Sequence, residues 1–243
     1  MIPRLYLNRD IKKGDTLTLE REHRHYLHHV LRRRAGDTVI VFNGRGGEFH
    51  ARIAQLDHHQ GALFIARHDP VSREMRTAVH VVQAACRNEK LEWMLQKSVE
   101  LGAASIQLTG SHRATLRLPA QRRDKRLARW RKILVEASEQ CGRTIVPTLR
   151  WHDRLHAIET RGLCLCLHPV SACDWPAMLP RLRKAREITL AIGPEGGWSD
   201  EDLTTLRGMG FEPLTFGPRI LRAETAAPAL LAAIQAIADA GDK

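Results

Sequence analysis

Residues 188–198 read ITLAIGPEGGW, an apolar segment that runs directly into a turn rich in glycine. The segment Ile188–Ile192 is partly β-branched, which predicts a buried strand. Ser199, with Asp202 three residues later, is typical of a helix N-cap with a carboxylate that reaches back. The glycines between strand and helix predict a loop whose backbone can closely approach a bound molecule. Glycine pairs also occur in ordinary tight turns, so this loop alone does not identify a ligand site.

A second stretch of the same kind, FGPRILRAETA, covers residues 216–226. Glu212–Phe216 predicts a strand, and the alanine-rich segment Thr225–Ala240 predicts a helix. Between them lie Arg219, Arg222 and Glu224. Charged groups beside buried elements are costly unless they are paired or used, which makes these residues candidates for a site. The alternative is a surface ion pair between Arg222 and Glu224, which would contribute little free energy.

From residue 79 onward, apolar segments with strand and helix patterns alternate. Such alternation predicts an α/β fold, a doubly wound and largely parallel sheet with ligand loops at the carboxyl ends of its strands. Leu167 and His168 follow one such strand, so three loops are expected to converge on one edge and form a pocket. The predicted strands are 79–86, 105–108, 163–167, 188–192 and 213–216, and the helices before the last strand include 90–101 and 124–141.

Residues 1–70 are instead mostly strand, with one short helix over 23–31 and a hairpin turn at 43–47. Short strands at this spacing predict a small closed β-barrel, because closure removes exposed edges. Asp69-Pro70 and the residues up to Arg73 are typical of a linker. We therefore predict two domains, over residues 1–70 and 74–243.

The chain has a formal net charge of +11, which indicates a polyanionic partner. Lysine and arginine number 12 against 8 acidic residues in 1–72, 16 against 7 in 73–150 and 10 against 12 in 151–243. Residues 1–150 are therefore expected to bind a nucleic acid, and residues 151–243 are expected to bind a small ligand. The alternative is a basic surface that is simply solvated. Aromatic residues make up only 5%, which favours phosphate contacts over base stacking.

Cysteine and histidine patterns do not predict a metal site. The five cysteines form no metal-ligand spacing, which is typical of a reducing compartment. Eight of the 13 histidines fall in residues 23–68, among them His25, His28 and His29, but no carboxylate or cysteine lies at ligand spacing. A metal site is the alternative there, but histidines on one short helix beside basic residues are more often on the surface, and we expect these to face solvent or RNA. The start has no secretory signal pattern and no apolar run is long enough to span a bilayer, which predicts a cytoplasmic protein without a membrane segment.

The sequences IGPEGGWSDEDL and FGPRILRAETA resemble the paired signature motifs of the RsmE-type 16S rRNA (uracil-N3)-methyltransferases, members of the SPOUT class. His25–Arg32 followed by Gly36-Asp37, Leu95–Gly102 and Glu136–Arg143 resemble further motifs of that family, so the similarity covers nearly the whole chain. The resemblance implies a PUA-like β-barrel that binds RNA, followed by an α/β trefoil-knot methyltransferase domain. It also implies a homodimer.

The resemblance implies S-adenosylmethionine-dependent methylation of N3 of a specific uridine in the decoding region of 16S rRNA, in the small ribosomal subunit. Uracil N3 carries a proton at neutral pH, so the reaction needs a base or cations that stabilise the developing charge. Arg222 is the candidate stabiliser, and Glu195 or Glu224 the base or orienting group. The residues expected to hold the cofactor, mainly through backbone groups, are Leu167, His168, Ile192, Gly193, Pro194, Glu195, Gly196, Gly197, Phe216, Gly217, Arg219, Ile220 and Leu221.

Basic positions that match or flank the family's motifs are candidates for RNA contact, with phosphate contacts favoured over base readout. They are Arg4, Arg24, His25, Arg32, Lys90, Lys97, Arg113 and Arg143. For Arg143, at the end of the long predicted helix, the alternative is a structural role or a dimer contact.

The sequence departs from the family pattern in two places, and three other functions are alternatives to the one that the resemblance implies. Ser111-His112-Arg113-Ala114 lacks a carboxylate that the family carries there, and Pro228 lies inside the last helix. The same features fit a SPOUT methyltransferase that acts on another base or a ribose, or a non-catalytic RNA-binding ribosome-assembly factor. A nicotinamide enzyme is disfavoured because no Gly-x-Gly-x-x-Gly follows the strand 79–86.

Overall fold

The computed structural model describes residues 2–116, 118–171 and 173–239, which fall into two compact units. One unit is Met1–Arg73 with Ser138–Val146, and the other is Glu74–Ala137 with Pro147–Lys243. The domain limits 1–70 and 74–243 stay a prediction. They assign residues 138–146 to the second domain, whereas in the structure these residues belong to the N-terminal unit.

The N-terminal unit is built on a five-stranded sheet in the order β1-β3-β4-β5-β2. β1 pairs parallel with β3, and the other neighbours are antiparallel. Alternate residues of these strands point into one apolar core that includes Val39, Val41, Ile53 and Leu63. The hydrogen bonds of the described residues leave β1 and β2 unpaired with each other, so the ring of strands is open there. The strands are β1 (Arg4–Tyr6), β2 (Thr16–Thr18), β3 (Thr38–Phe42), β4 (Glu48–Leu56) and β5 (Gly61–Asp69).

The predicted helix over 23–31 is two short helical segments. An α-helix, α1, runs over Arg21–His25 and continues as a π-helical turn over Tyr26–Val30. The amide of Leu31 donates to the carbonyl of Tyr26, the wider spacing of a π turn. Leu27 is the buried residue of this turn and anchors it to the core.

The second unit contains a six-stranded parallel sheet in the order β11-β9-β10-β6-β7-β8. Its central strands are buried along almost their whole length, as expected for a parallel sheet that is covered on both faces. The sheet confirms the predicted α/β class, and the trefoil knot stays a prediction. The strands are β6 (Ala78–Ala84), β7 (Ser105–Thr109), β8 (Thr148–His152), β9 (Leu163–Leu167), β10 (Glu187–Ile192) and β11 (Glu212–Leu214).

The helices of this unit begin earlier than predicted in three cases. α2 starts two residues before Lys90, α3 four before Asp124 and α6 two before Thr225, while Ala240 lies outside the described residues. The capping box at Ser199 is confirmed: its hydroxyl accepts from the amide of Asp202, and the Asp202 carboxylate accepts from the amide of Ser199. No helix in the described part of the chain is long and apolar enough to cross a membrane. The helices are α2 (Asn88–Glu100), α3 (Ala120–Cys141), α4 (Trp175–Lys184), α5 (Asp200–Gly208) and α6 (Ala223–Asp239).

Candidate functional site

The loops that follow β9, β10 and β11 line one cavity of about 650 Å³ in the second unit. The cavity lies at the carboxyl ends of neighbouring parallel strands, as predicted from the strand–helix alternation. Every residue predicted to hold the cofactor is in its lining, from Leu167 to Leu221. The size lies within the ordinary range for small-molecule sites, about 300 to 1,000 Å³. Cofactor binding by these residues stays a prediction.

The glycine loop after β10 is held in place by side chains from other segments of the chain. Arg113 donates to the carbonyls of Gly196 at 3.1 Å and Trp198 at 3.4 Å. The buried amide of Gln83 donates to the carbonyl of Gly193 at 3.2 Å. Gly197 has a φ of 69°, a left-handed conformation that favours glycine, and its amide closes the turn onto Pro194. The loop is therefore fixed through its carbonyls.

Backbone donors of two loops are left for a ligand. The amides of Gly196 and Trp198 donate no hydrogen bond to a described residue, and the same holds for the amides of residues 216, 217 and 219–221. Trp198 also lines the cavity, and its buried indole nitrogen has no hydrogen-bond partner in the part of the chain that is described. Unpaired donors in residues that line a cavity fit a ligand with purine and carboxylate acceptors.

Glu195 is the only carboxylate among the described residues that line the cavity. It accepts from the amide of Arg87 at 3.2 Å and from the hydroxyl of Thr115 at 3.1 Å. Burial raises the pKa of Glu195, but the backbone and side-chain hydrogen bonds and Lys90 outweigh it, and the pKa lies below its ordinary value. Glu195 is therefore ionised at neutral pH and partly committed to fixing the loop.

Lys90 links the two candidate carboxylates. Its Nζ lies 3.4 Å from Glu224 and 3.9 Å from Glu195. Glu224 does not line the cavity, whereas Lys90 does. The surface pair that the sequence left open between Arg222 and Glu224 is not formed, since Glu224 faces Lys90. Arg222 is exposed in the lining and has no ion pair or hydrogen bond to a described side chain, which leaves its charge free for a ligand.

Cys86 lies close to both carboxylates but does not supply a nucleophile. It is fully buried, and burial together with the charges of Glu195 and Glu224 raises its pKa to about 12. The thiol is therefore protonated at neutral pH, and thiolate chemistry is excluded for this residue.

The candidate RNA-binding residues fall into three structural groups. Arg4 is largely buried and binds Glu48 at 2.7 Å, and Arg143 is 3% exposed. Lys90 and Arg113 belong to the cavity wall, and Lys97 pairs with Glu100. The third group, around the π-helical turn, is the one most open to a partner. It consists of the half-buried Arg24 and the exposed His25 and Arg32. Contact of these residues with RNA stays a prediction.

The sequence patterns did not indicate Gln83, Thr115 and Trp198 as parts of the site. Gln83 carried a usable signal, because a glutamine inside the apolar segment 79–86 must satisfy its amide in the core. Thr115 lies in a loop without periodic pattern, and Trp198 has the appearance of an ordinary core residue.

Family models match both parts of the chain. The model described as "RNA methyltransferase domain" matches residues 73–235, and the model described as "RNA methyltransferase PUA domain" matches residues 19–65.

Relatives of known sequence carry one name. Ribosomal RNA small subunit methyltransferase E of Synechocystis is 33% identical over 91% of this chain and 73% of its own length. The protein of that name from Buchnera aphidicola (subspecies Schizaphis graminum) is 30% identical over 96% of each chain.

Two solved structures are similar over nearly their full length. A Legionella pneumophila protein in complex with the cofactor SAM is 35% identical, with a TM-score of 0.90 over 97% of this chain and 98% of its own. Ribosomal RNA small subunit methyltransferase E of Neisseria gonorrhoeae, bound to S-adenosyl methionine, is 32% identical, with a TM-score of 0.89 over 98% of each chain.

Proposed function

This chain belongs to the RNA methyltransferase family, and from that premise we propose that it methylates N3 of one uridine in the decoding region of 16S rRNA, with S-adenosylmethionine as methyl donor. The observation that carries the proposal is the cavity of three loops with unpaired backbone donors and a free Arg222. The similarity to two SAM-bound structures supports the choice of cofactor.

The residues of the cavity fit that cofactor. The unpaired amides of residues 216, 217 and 219–221 and the indole of Trp198 are suited to acceptors on its purine and amino-acid parts. Gly196 has no room for a larger side chain without displacing Arg113, because an added Cβ would lie 3.3 Å from the Arg113 Cβ. When bound, S-adenosylmethionine supplies an electrophilic methyl group on a sulfonium.

Arg222 is assigned the stabilisation of negative charge on the uracil oxygens as N3 loses its proton. Its guanidinium is free of protein partners among the described residues and lines the cavity, so it can bind a charge that develops there. Positioning and charge stabilisation then supply most of the rate, because methyl transfer needs little covalent assistance.

The two carboxylates are assigned unequal roles. Glu195 has a lowered pKa and accepts two hydrogen bonds from protein groups, so it is a poor base and chiefly fixes the glycine loop. Glu224 orients Lys90, which in turn presents a second cation to the cavity. Removal of the N3 proton therefore depends mainly on cations that make the uracil more acidic, and we expect the rate to rise with pH until N3 is ionised.

RNA binding is assigned to the basic first part of the chain, with the small ribosomal subunit or its 16S rRNA as partner. We further propose that the protein acts in the cytoplasm as a homodimer. Ile220 is 84% and Val170 79% exposed, and a second copy that covered them would remove apolar surface from water. Light scattering of the purified protein tests the dimer separately from the activity.

The function is tested by mass-spectrometric nucleoside mapping of 16S rRNA from cells with and without the gene, combined with methylation by the purified protein. We expect one N3-methyluridine to disappear and to be restored by wild-type protein but not by Arg222→Ala. Loss of a different modified base or ribose would assign another target. An unchanged map with retained RNA binding would favour an assembly factor.

A further inference from the structure

The N-terminal unit contains a cluster of imidazoles that the proposed methyl transfer does not use. His28 and His29 lie on the π-helical turn, and His58 lies in the turn between β4 and β5. One ring nitrogen from each of the three lies within 4.8 Å of the others. His29 and His58 are exposed and His28 is half-buried, so an ion in solution can reach all three.

The spacing of the first two nitrogens already suits a metal ion. Nδ1 of His28 is 3.4 Å from Nε2 of His29. Two imidazole nitrogens that bind one tetrahedral Zn²⁺ at their usual bond length are separated by about 3.4 Å. Neighbouring residues on an α-helix do not face each other, and this pair meets in a π-helical turn, a feature often found at functional sites.

His58 is presented by a turn that the protein fixes independently. The carboxylate of Asp57 accepts hydrogen bonds of 2.7 Å from the amides of both His59 and Gln60. The ring of His58 then lies 4.8 Å from that of His28 and 5.3 Å from that of His29, measured between centroids. Closing the site needs only small side-chain movements.

No described carboxylate or cation forms an ion pair with these imidazoles. Their ring contacts are with one another and with His25. A second cluster, at Glu48, His50 and Asp69, differs in this respect. Arg4 and Arg73 bind Glu48, and Arg67 binds Asp69, so arginines already neutralise its carboxylates. Only the histidine cluster is therefore open to an ion.

We propose that His28, His29 and His58 form a binding site for a divalent late transition-metal ion, Zn²⁺ in the first instance. Neutral imidazoles bind Zn²⁺, Cu²⁺ and Ni²⁺ well, whereas Mg²⁺ and Ca²⁺ prefer oxygen ligands. The fourth position is filled by water or by His25, whose ring is 4.8 Å from that of His29. The bound ion joins the π-helical turn to the β4–β5 turn and stabilises the N-terminal unit. The sequence did not predict this site because His58 comes from a distant part of the chain.

Calorimetric titration of the whole chain with ZnCl₂ tests the site. The protein used carries no polyhistidine tag and has been cleared of metal with a chelator. We expect one ion per chain, at least a tenfold loss of affinity in His58→Ala and in the double variant His28→Ala/His29→Ala, and no binding of MgCl₂. The matched control is His59→Ala, which alters an exposed histidine of the same turn whose side chain is outside the cluster. It should bind Zn²⁺ as the wild type does.

Thermal unfolding and Co²⁺ spectra give independent readouts. Excess Zn²⁺ should raise the Tm of the wild type and of His59→Ala, but not that of His58→Ala, and the visible absorption of bound Co²⁺ should be lost in the same variant. His58→Gln replaces His58→Ala if the metal-free alanine variant unfolds. Unchanged Zn²⁺ affinity in the cluster variants would overturn the proposal and assign the ion to another group, such as a cysteine. Absence of binding to the wild type would also overturn it.

Discussion

The guanidinium of Arg113 donates a hydrogen bond of 3.1 Å to the carbonyl oxygen of Gly196. The same group reaches the carbonyl of Trp198 at 3.4 Å. The sequence indicated Arg113 as a candidate RNA contact, whereas the structure places it on the glycine loop. Because it binds both carbonyls, it restrains the backbone of the loop that lines the cavity.

Replacing Arg113 by alanine should therefore weaken cofactor binding. A hydrogen bond from a charged donor contributes about 1.5 to 3 kcal/mol when shielded, and exposure of Arg113 reduces this to about 1 kcal/mol. We expect the Kd for S-adenosylmethionine to rise about fivefold, measured by calorimetry. Arg122→Ala, which alters an exposed arginine of α3 outside the cavity lining, is the control. An unchanged Kd in Arg113→Ala would mean that the loop keeps its shape without the hydrogen bonds from Arg113.

Arg222→Ala should lower turnover and leave cofactor affinity intact. The guanidinium has no partner among the described residues, so its removal leaves the loop in place but takes away the charge that stabilises deprotonated uracil. A fall in kcat of about 100-fold is expected, as for the loss of one transition-state donor. The Kd for S-adenosylmethionine should stay within about twofold. Arg183→Ala, on the exposed side of α4, should have full activity. Equal turnover of both variants would remove Arg222 from the mechanism.

The residues around the π-helical turn should dominate the salt dependence of RNA binding. Arg24 and Arg32 keep exposed surface, whereas Arg4 is held by Glu48. The double variant Arg24→Ala/Arg32→Ala should weaken binding and reduce the slope of log K against log salt by about 2, near 1 for each lost phosphate contact. Fluorescence anisotropy over a range of KCl concentrations measures this slope. A slope equal to that of the wild type would place the RNA elsewhere.

Local pattern was sufficient to predict part of this site. The capping box at Ser199 and the strand before it follow from short-range rules, and the convergence of three loops follows from the geometry of parallel strands. The edge strand β8 was missed because its five residues, TLRWH, include charged and polar side chains and lack a clear apolar run.

Partners from distant segments could not be predicted in the same way. Lys90 lies on α2 and Glu224 at the start of α6, and only the packing of these two helices brings the charges together. Arg143 is buried, and the sequence could not decide between RNA contact and a structural role for it, because a basic residue after a helix is usually solvated. The roles of charged side chains depended on tertiary structure, while the positions of the loops did not.

The buried carboxylate of Glu48 should make the N-terminal unit sensitive to acid. Glu48 is 5% exposed and binds Arg4 at 2.7 Å and Arg73 at 2.9 Å. Burial raises its pKa, but the two arginines outweigh this effect and hold the pKa below its ordinary value of 4.5. The contribution to stability is therefore complete well above pH 4.5 and is lost as the pH falls through the lower, folded-state value.

Glu48→Gln should accordingly lower the free energy of unfolding at pH 7 by about 2 to 3 kcal/mol. This is near the lower end of the destabilisation usual when one partner of a buried ion pair is removed, because Arg73 is partly exposed. The difference from the wild type should begin to shrink below about pH 4.5, where the unfolded-state carboxylate becomes protonated, and should be lost as the pH falls through the lower pKa of the native carboxylate. Urea unfolding followed by circular dichroism, with hydrogen exchange at β3–β5 to locate the effect, measures both quantities. Glu20→Gln changes an exposed glutamate of the same unit and should stay within about 0.5 kcal/mol of the wild type at each pH. A difference between Glu48→Gln and the wild type that did not depend on pH would show that lost packing, rather than the charge, accounts for the effect.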